Sequence, residues 1–179
     1  MSRKKKNLIL TAAAALLLLI ALAFPRLGVF LVQEHDLRTA DAIVILMGST
    51  PERELEAADL YHAGLADKLL MVEFPSHRNL LLDSFNIDMP RGLENTVNVL
   101  NQLNVPSEHI HIILVSSPHH LRRANKIFRW EYRKAGHNTE IIARPSNYSD
   151  FQAKGWYHHR DSAKAVALEY LKLITVVFQ

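Results

Sequence analysis

The chain has 179 residues, 49% apolar and 22% charged, the balance of a globular protein with room for about one core. It contains no cysteine, which excludes disulfides, thiolate metal sites and a cysteine nucleophile. Its formal charge of +3 is concentrated at one end: five of the 21 basic residues (Arg3, Lys4, Lys5, Lys6 and Arg26) flank an N-terminal apolar run, and the remaining 16 face 18 acids, so the rest of the chain is about −2 and lacks the basic face of a nucleic-acid binder.

Residues 8–24 are apolar except for Thr11, and a helix continuing past Pro25 through residues 27–32 reaches the length of a membrane span, with Arg26 snorkelling to the interface. Basic residues ahead of the span put the N-terminus in the cytoplasm and the following domain outside the inner or plasma membrane. A cleaved signal peptide is the competing reading, since Ala21-Leu22-Ala23 fits a cleavage site; the apolar run is longer than a signal core, which favours an uncleaved anchor. The expected division is an anchor over residues 1–33 and a domain over residues 34–179.

After a polar connector, residues 41–47 form an apolar, β-branched run, a buried strand. Gly48-Ser49-Thr50-Pro51 ends it, with Thr50 as a helix cap and Pro51 at the first helical position. Residues 53–62 read as a helix with Leu55, Ala58, Tyr61 and Leu65 on its packed side, Gly64 as its stop, and Glu54, Glu56 and Asp59 on a solvated face. Residues 68–72 are a second short strand, residues 73–91 a loop, and residues 93–103 a helix opened by Asn95-Thr96, which either contact ligand or cap it. Residues 110–115 are the third strand. Residues 119–134 are a helix with Leu121, Ala124 and Phe128 inward and Gly136 beyond its end. A strand at 140–143, a loop at 145–155 and a helix at 161–178, its apolar face interrupted by Lys164, Glu169 and Lys172, complete the chain. Alternating strands and helices imply an α/β three-layer sandwich with a mostly parallel sheet, preceded by one transmembrane helix.

Ligands of such sheets bind beyond the carboxyl ends of the strands. The first strand delivers Gly48, Ser49 and Arg53 there, and the third delivers Ser116-Ser117-Pro118-His119-His120-Leu121-Arg122-Arg123-Ala124. Hydroxyls, imidazoles and guanidiniums at a helix opening make a cradle for an anion. His120 and Arg123 are three residues apart and share a helix face, whereas Arg122 points about 100° away. His120 is a candidate acid or base because imidazole titrates near neutrality. Ser116 or Ser117 is either a nucleophile or, preferred for Ser117 ahead of Pro118, a helix cap; no G-x-S-x-G elbow is present. Arg53 in a first helical turn opposes the helix dipole, which a bound anion explains better than the alternative, a salt bridge to Glu56 or Glu52. His109 with His111, His119 with His120 and His158 with His159 do not amount to a ligand set without a His-x-x-x-His helix, and no metal is expected. Trp130, Tyr132, Trp156 and Tyr157 line a sugar or lipid face or pack the core.

These residues carry a resemblance. Gly48, Arg53-x-x-x-Ala57, Leu60-Tyr61 and Gly64, then Asn95-Thr96, then the run from Val115 to Ala124, and finally Arg160-Asp161, resemble the YdcF-like superfamily of bacterial envelope proteins over residues 41–179. The resemblance aligns His120 and Arg123 with the family positions and leaves His119 and Arg122 as extras. It departs at Glu73-Phe74-Pro75, where a Gly-rich turn is usual, and at Asn95-Thr96-Val97-Asn98, where an acidic residue is missing. It implies a membrane-anchored role in envelope biogenesis or barrier maintenance, by binding an anionic small molecule or a lipid-linked, phosphate-bearing intermediate. A hydrolase or transferase acting on such a precursor is the alternative. A nucleotide-dependent transferase is disfavoured, because no G-x-G-x-x-G is present.

Overall fold

The computed structural model describes residues 3–46, 51–72 and 110–177. The expected turn at 48–50, the loop at 73–91 and the helix at 93–103 lie outside them. Four strands, β1 (Ala42–Leu46), β2 (Leu69–Val72), β3 (Ile110–Ser116) and β4 (Thr139–Pro145), form one parallel sheet in the order β2-β1-β3-β4. The inner strands β1 and β3 are covered on both faces, so their sequences read as unbroken apolar runs instead of alternating ones.

Side chains of one strand still alternate between faces. Ile43, Ile45, Ile113, Val115 and Ile142 pack with Ala57 and Leu60 of α3 (Glu52–His62). Val44, Leu46, Ile112, Leu114 and Ala143 pack with Leu121, Ala124, Phe128 and Tyr132 of α4 (Leu121–Lys134). The three residues expected to face inward from α4, Leu121, Ala124 and Phe128, are buried, and Asn125 and Tyr132 join them. Both helices close with a left-handed glycine, Gly64 at φ 72° and Gly136 at φ 80°. At each end the next residue's amide reaches back five residues, Leu65 to Leu60 and His137 to Tyr132, as a Schellman motif requires.

The packed side of α3 differs from expectation. Leu55 and Tyr61 are 43% and 45% exposed, and the buried stripe is Arg53, Glu56, Ala57 and Leu60. The small Ala57 lets the helix approach the sheet, and the two charged residues of the stripe find partners at the sheet's edge. Glu56, expected in solvent, is 2% exposed: it accepts hydrogen bonds from Arg144 Nε at 2.7 Å and the Asn147 amide at 2.8 Å.

The N-terminal segment is helical from α1 (Arg3–Ala23) through a 3-10 turn at Phe24–Arg26 into α2 (Leu27–Leu31). An 18-residue window within its 29 residues has a mean hydropathy of 2.6, so the segment is long and apolar enough to cross a membrane. Its last turn is packed against α5 (Arg160–Val177) and the turn before it. Leu31 is fully buried with Trp156 and Val166, Trp156 donates Nε1–H to the Phe24 carbonyl at 3.2 Å, and Tyr170 donates its hydroxyl to the Leu27 carbonyl at 3.1 Å. Of the four aromatics, Trp156 and Tyr132 are buried, while Trp130 and Tyr157 stay largely exposed.

Gly28 is the tightest point of this junction. A Cβ there meets the Ala153 carbonyl at 2.5 Å and Trp156 Cδ1 at 2.7 Å, and the indole is held by its bond to the Phe24 carbonyl. Gly28→Val is therefore expected to cost about 1–3 kcal/mol by overpacking. Proteolysis near residue 33 of the full chain in detergent should accelerate correspondingly. Unchanged cleavage and melting would mean that α2 is not seated on the domain.

Candidate functional site

Parallel pairing of β1 with β3, Ala42 opposite Ile112 and Ile45 opposite Val115, brings the carboxyl ends of both strands to one edge, as expected. There β3 passes through Ser116 and Ser117 into a single 3-10 turn, Pro118–His120, and then into α4. Ser116 is fully buried and its Oγ has no hydrogen-bond partner among the described residues.

Ser117 does not cap the helix. No side-chain cap bond forms; its Oγ accepts from Arg53 Nε at 3.0 Å and Nη2 at 2.9 Å, and donates to Glu52 Oε1. Arg53, only 6% exposed, also donates Nη1–H to the Leu46 carbonyl, at the very end of β1. Its guanidinium thus ties the end of one inner strand to the end of the other. Burial pulls its pKa below the ordinary value, against the carboxylates of Glu52, Glu54 and Glu169. Of the two explanations for Arg53 in a first helical turn, the structure shows an intramolecular role: Glu52 lies at 4.0 Å and Glu56 pairs instead with Arg144.

A second group adjoins the first. Arg123 donates to both oxygens of Glu169, Nε to Oε2 at 2.8 Å and Nη2 to Oε1 at 3.2 Å. His120 Nδ1 lies 2.8 Å from Arg123 Nη2 and 3.4 Å from Glu169 Oε1. Lys172 completes the cluster at 3.1 Å. Burial raises the Glu169 carboxyl, but the hydrogen bonds from His120 and Arg123, with their charges, outweigh it and hold the group well below the usual carboxylate range. Burial pulls His120 down, so its imidazole is neutral at neutral pH. A neutral ring can accept from Arg123 at Nδ1 and carry its proton on Nε2, or donate from Nδ1 to Glu169 and leave Nε2 as a base. Two such tautomers, held between a cation and a carboxylate, suit a group that takes up or delivers one proton.

The expected pairing of His120 and Arg123 on one helix face is observed, and Arg122 does turn away: it donates to the Phe30 carbonyl and its guanidinium sits 4.0 Å above the Phe30 ring. His119 packs its ring 5.0 Å from that of Phe151, with Nδ1 buried and unpartnered among the described residues. Gly48, Ser49, Asn95 and Thr96 lie outside the described residues. His111, on the opposite edge, sits 3.4 Å from Glu140. Among the described residues, no group of three or more His, Asp or Glu is arranged to hold a metal ion.

Glu169 is the site residue that sequence reasoning passed over, and Glu52 entered it only as a possible partner of Arg53. Glu169 counted only as an interruption of an apolar face, yet it is 3% exposed and continues the buried stripe of Ser162 and Val166 at helical spacing. An acid in register with a buried stripe was the available signal. No protein-family model, curated protein or solved structure matches the chain.

Proposed function

We propose that this chain is a YdcF-like envelope protein, held in the inner or plasma membrane by its N-terminal helix with the N-terminus cytoplasmic. In this reading the domain is a three-layer sandwich whose carboxyl edge binds a phosphate-bearing anion, free or lipid-linked. The observation that carries the reading is the convergence on one sheet edge of the buried Arg53–Ser117 pair and the turn bearing His120 and Arg123. A phosphate approaching there meets the positive end of α4 and an imidazole able to donate from Nε2. The second reading, a hydrolase or transferase on an envelope precursor, is favoured by one contact, His120 Nδ1 at 3.4 Å from Glu169 Oε1, which gives the histidine the carboxylate partner that orients a general base.

Titration of the full chain in detergent with inorganic pyrophosphate should release heat and raise the melting temperature. His120→Ala should weaken binding roughly tenfold, the worth of one hydrogen bond to a charged group. No heat and no thermal shift with the parent chain would sink the anion reading. A reporter fused at Gln179 should read as extracytoplasmic; a cytoplasmic signal would overturn the topology.

A further inference from the structure

A groove of about 540 Å³ opens between α2, α4 and α5. Its apolar lining is Phe30, Tyr170, Leu173 and Ile174. Its polar lining is Gln33 and, from α4, Arg122, Asn125, Lys126 and Arg129, which share one helix stripe at positions i, i+3, i+4 and i+7. The core stripe of the same helix is Leu121, Ala124, Phe128 and Tyr132. The two stripes explain its strongly two-sided composition. No acidic residue lines the groove, and none of its three cations forms a salt bridge among the described residues. Three unneutralised cations on one stripe stand out in a domain whose own charge is negative.

The polar side is built, not incidental. Arg122 is fixed over Phe30, and Arg129 donates Nε–H to Asn125 Oδ1 at 2.9 Å. Asn125 is 2% exposed, and it lines the groove beside the cationic stripe. Its amide oxygen is taken by Arg129, which leaves the amide N–H groups as the part able to donate to an acceptor in the groove. The apolar side continues onto the outer surface of α5, where Leu168, Leu171 and Ile174 are exposed. Phe30 belongs both to the groove and to the last turn of the helix that is apolar enough to cross a membrane.

We infer that this groove binds an anionic phospholipid of the bilayer, its phosphate against Lys126, Arg129 and the Asn125 amide, its acyl chain over Phe30, Leu173 and Ile174. Cations supply headgroup attraction and the apolar floor supplies chain burial, the two components of interfacial lipid binding. A free phosphate ester would leave the apolar floor in water, and a second copy of this chain would bring cations against cations. The inference rests on the anchor reading, because the anchor's exit sets the groove at headgroup height; it is independent of the carboxyl-edge site.

The test uses the full chain, delipidated in detergent and followed by native mass spectrometry. Phosphatidylglycerol should remain bound under conditions that strip phosphatidylcholine of the same chain length. Lys126→Gln with Arg129→Gln should lower phosphatidylglycerol affinity roughly 30-fold, the loss of two interfacial cations. Ile174→Asp, at an exposed position, should abolish retention with the melting temperature unchanged. Equal retention of the two lipids, or variants that bind like the parent, overturns the groove. Competition by glycerol 3-phosphate as strong as that by the lipid overturns the lipid assignment, and so does a dimer that the same variants dissolve. Carbonate extraction separates the two readings. A chain that resists carbonate yet ignores headgroup charge refutes the groove alone. A chain released by carbonate refutes the anchor, and the groove's headgroup position with it.

Discussion

Glu169→Ala is expected to lower the stability of the full chain by about 3–5 kcal/mol, the usual cost of removing one partner from a buried ion pair. The carboxylate is 3% exposed and receives both donors of the Arg123 fork, with His120 and Lys172 at its other faces. Deleting it leaves a guanidinium desolvated between α4 and α5 with nothing to neutralise it. It also strips His120 of the contact that favours its protonated form. The penalty arises mainly from the stranded charge, so Arg123→Leu combined with Glu169→Leu should recover most of it. Urea unfolding of the parent, Glu169→Leu, Arg123→Leu and the double variant, read by tryptophan fluorescence, gives the coupling energy directly. A loss of less than about 1 kcal/mol for Glu169→Ala would place the pair with exposed salt bridges, and the site would then lack a fixed carboxylate.

What could be read from the residues alone follows the range of the interactions involved. The strands were legible because each is short and built around an apolar run, a purely local signature. The helix from Leu121 to Lys134 was legible in both position and inward face because its polar and apolar stripes are sharply divided. The shared face of His120 and Arg123 followed from three-residue spacing. Pairing between distant segments was not legible. Arg123 meets Glu169 across 46 residues, Arg53 meets Ser117 across 64, and Arg144 meets Glu56 across 88. Each of these polar residues has a satisfactory local reading, as a surface charge or a helix cap, and only the fold replaces it with a buried partner. The same blindness misassigned the packed side of α3. Counting apolar residues selects Leu55 and Tyr61, whereas the stripe that meets the sheet includes Arg53 and Glu56, which are tolerated there because they are paired. Glu52 from α3 and Glu169 from α5 both reach the carboxyl edge, so carboxylates stand beside Ser117 and His120 there.

The same edge should make the protein sensitive to mild acid. Burial pulls the His119 pKa from 6.5 down to about 4, with Nδ1 unpartnered among the described residues and the ring against Phe151. An unfolded histidine binds its proton as the pH falls through about 6.5, while the folded one stays neutral until about 4. Between those values the unfolded state holds more protons, so stability falls with falling pH and levels off below about 4. At about 1.4 kcal/mol per pKa unit, this single residue accounts for a loss of about 2 kcal/mol at pH 5 and about 3 kcal/mol in full. His120 is lowered for the same reason and acts in the same direction. Glu169 acts in a separate window: its depressed pKa stabilises the fold fully above the ordinary carboxylate value, and that contribution disappears only as the pH drops through the lower folded value. A decline between pH 7 and pH 5 is therefore a histidine effect. His119→Phe keeps an aromatic ring against Phe151 and removes the titration, so its urea midpoint should change much less than the parent's from pH 7 to pH 5. A parent chain equally stable at both values would show that His119 is solvated enough to protonate in place, and the dry, orphaned imidazole beside Ser117 would have to be abandoned.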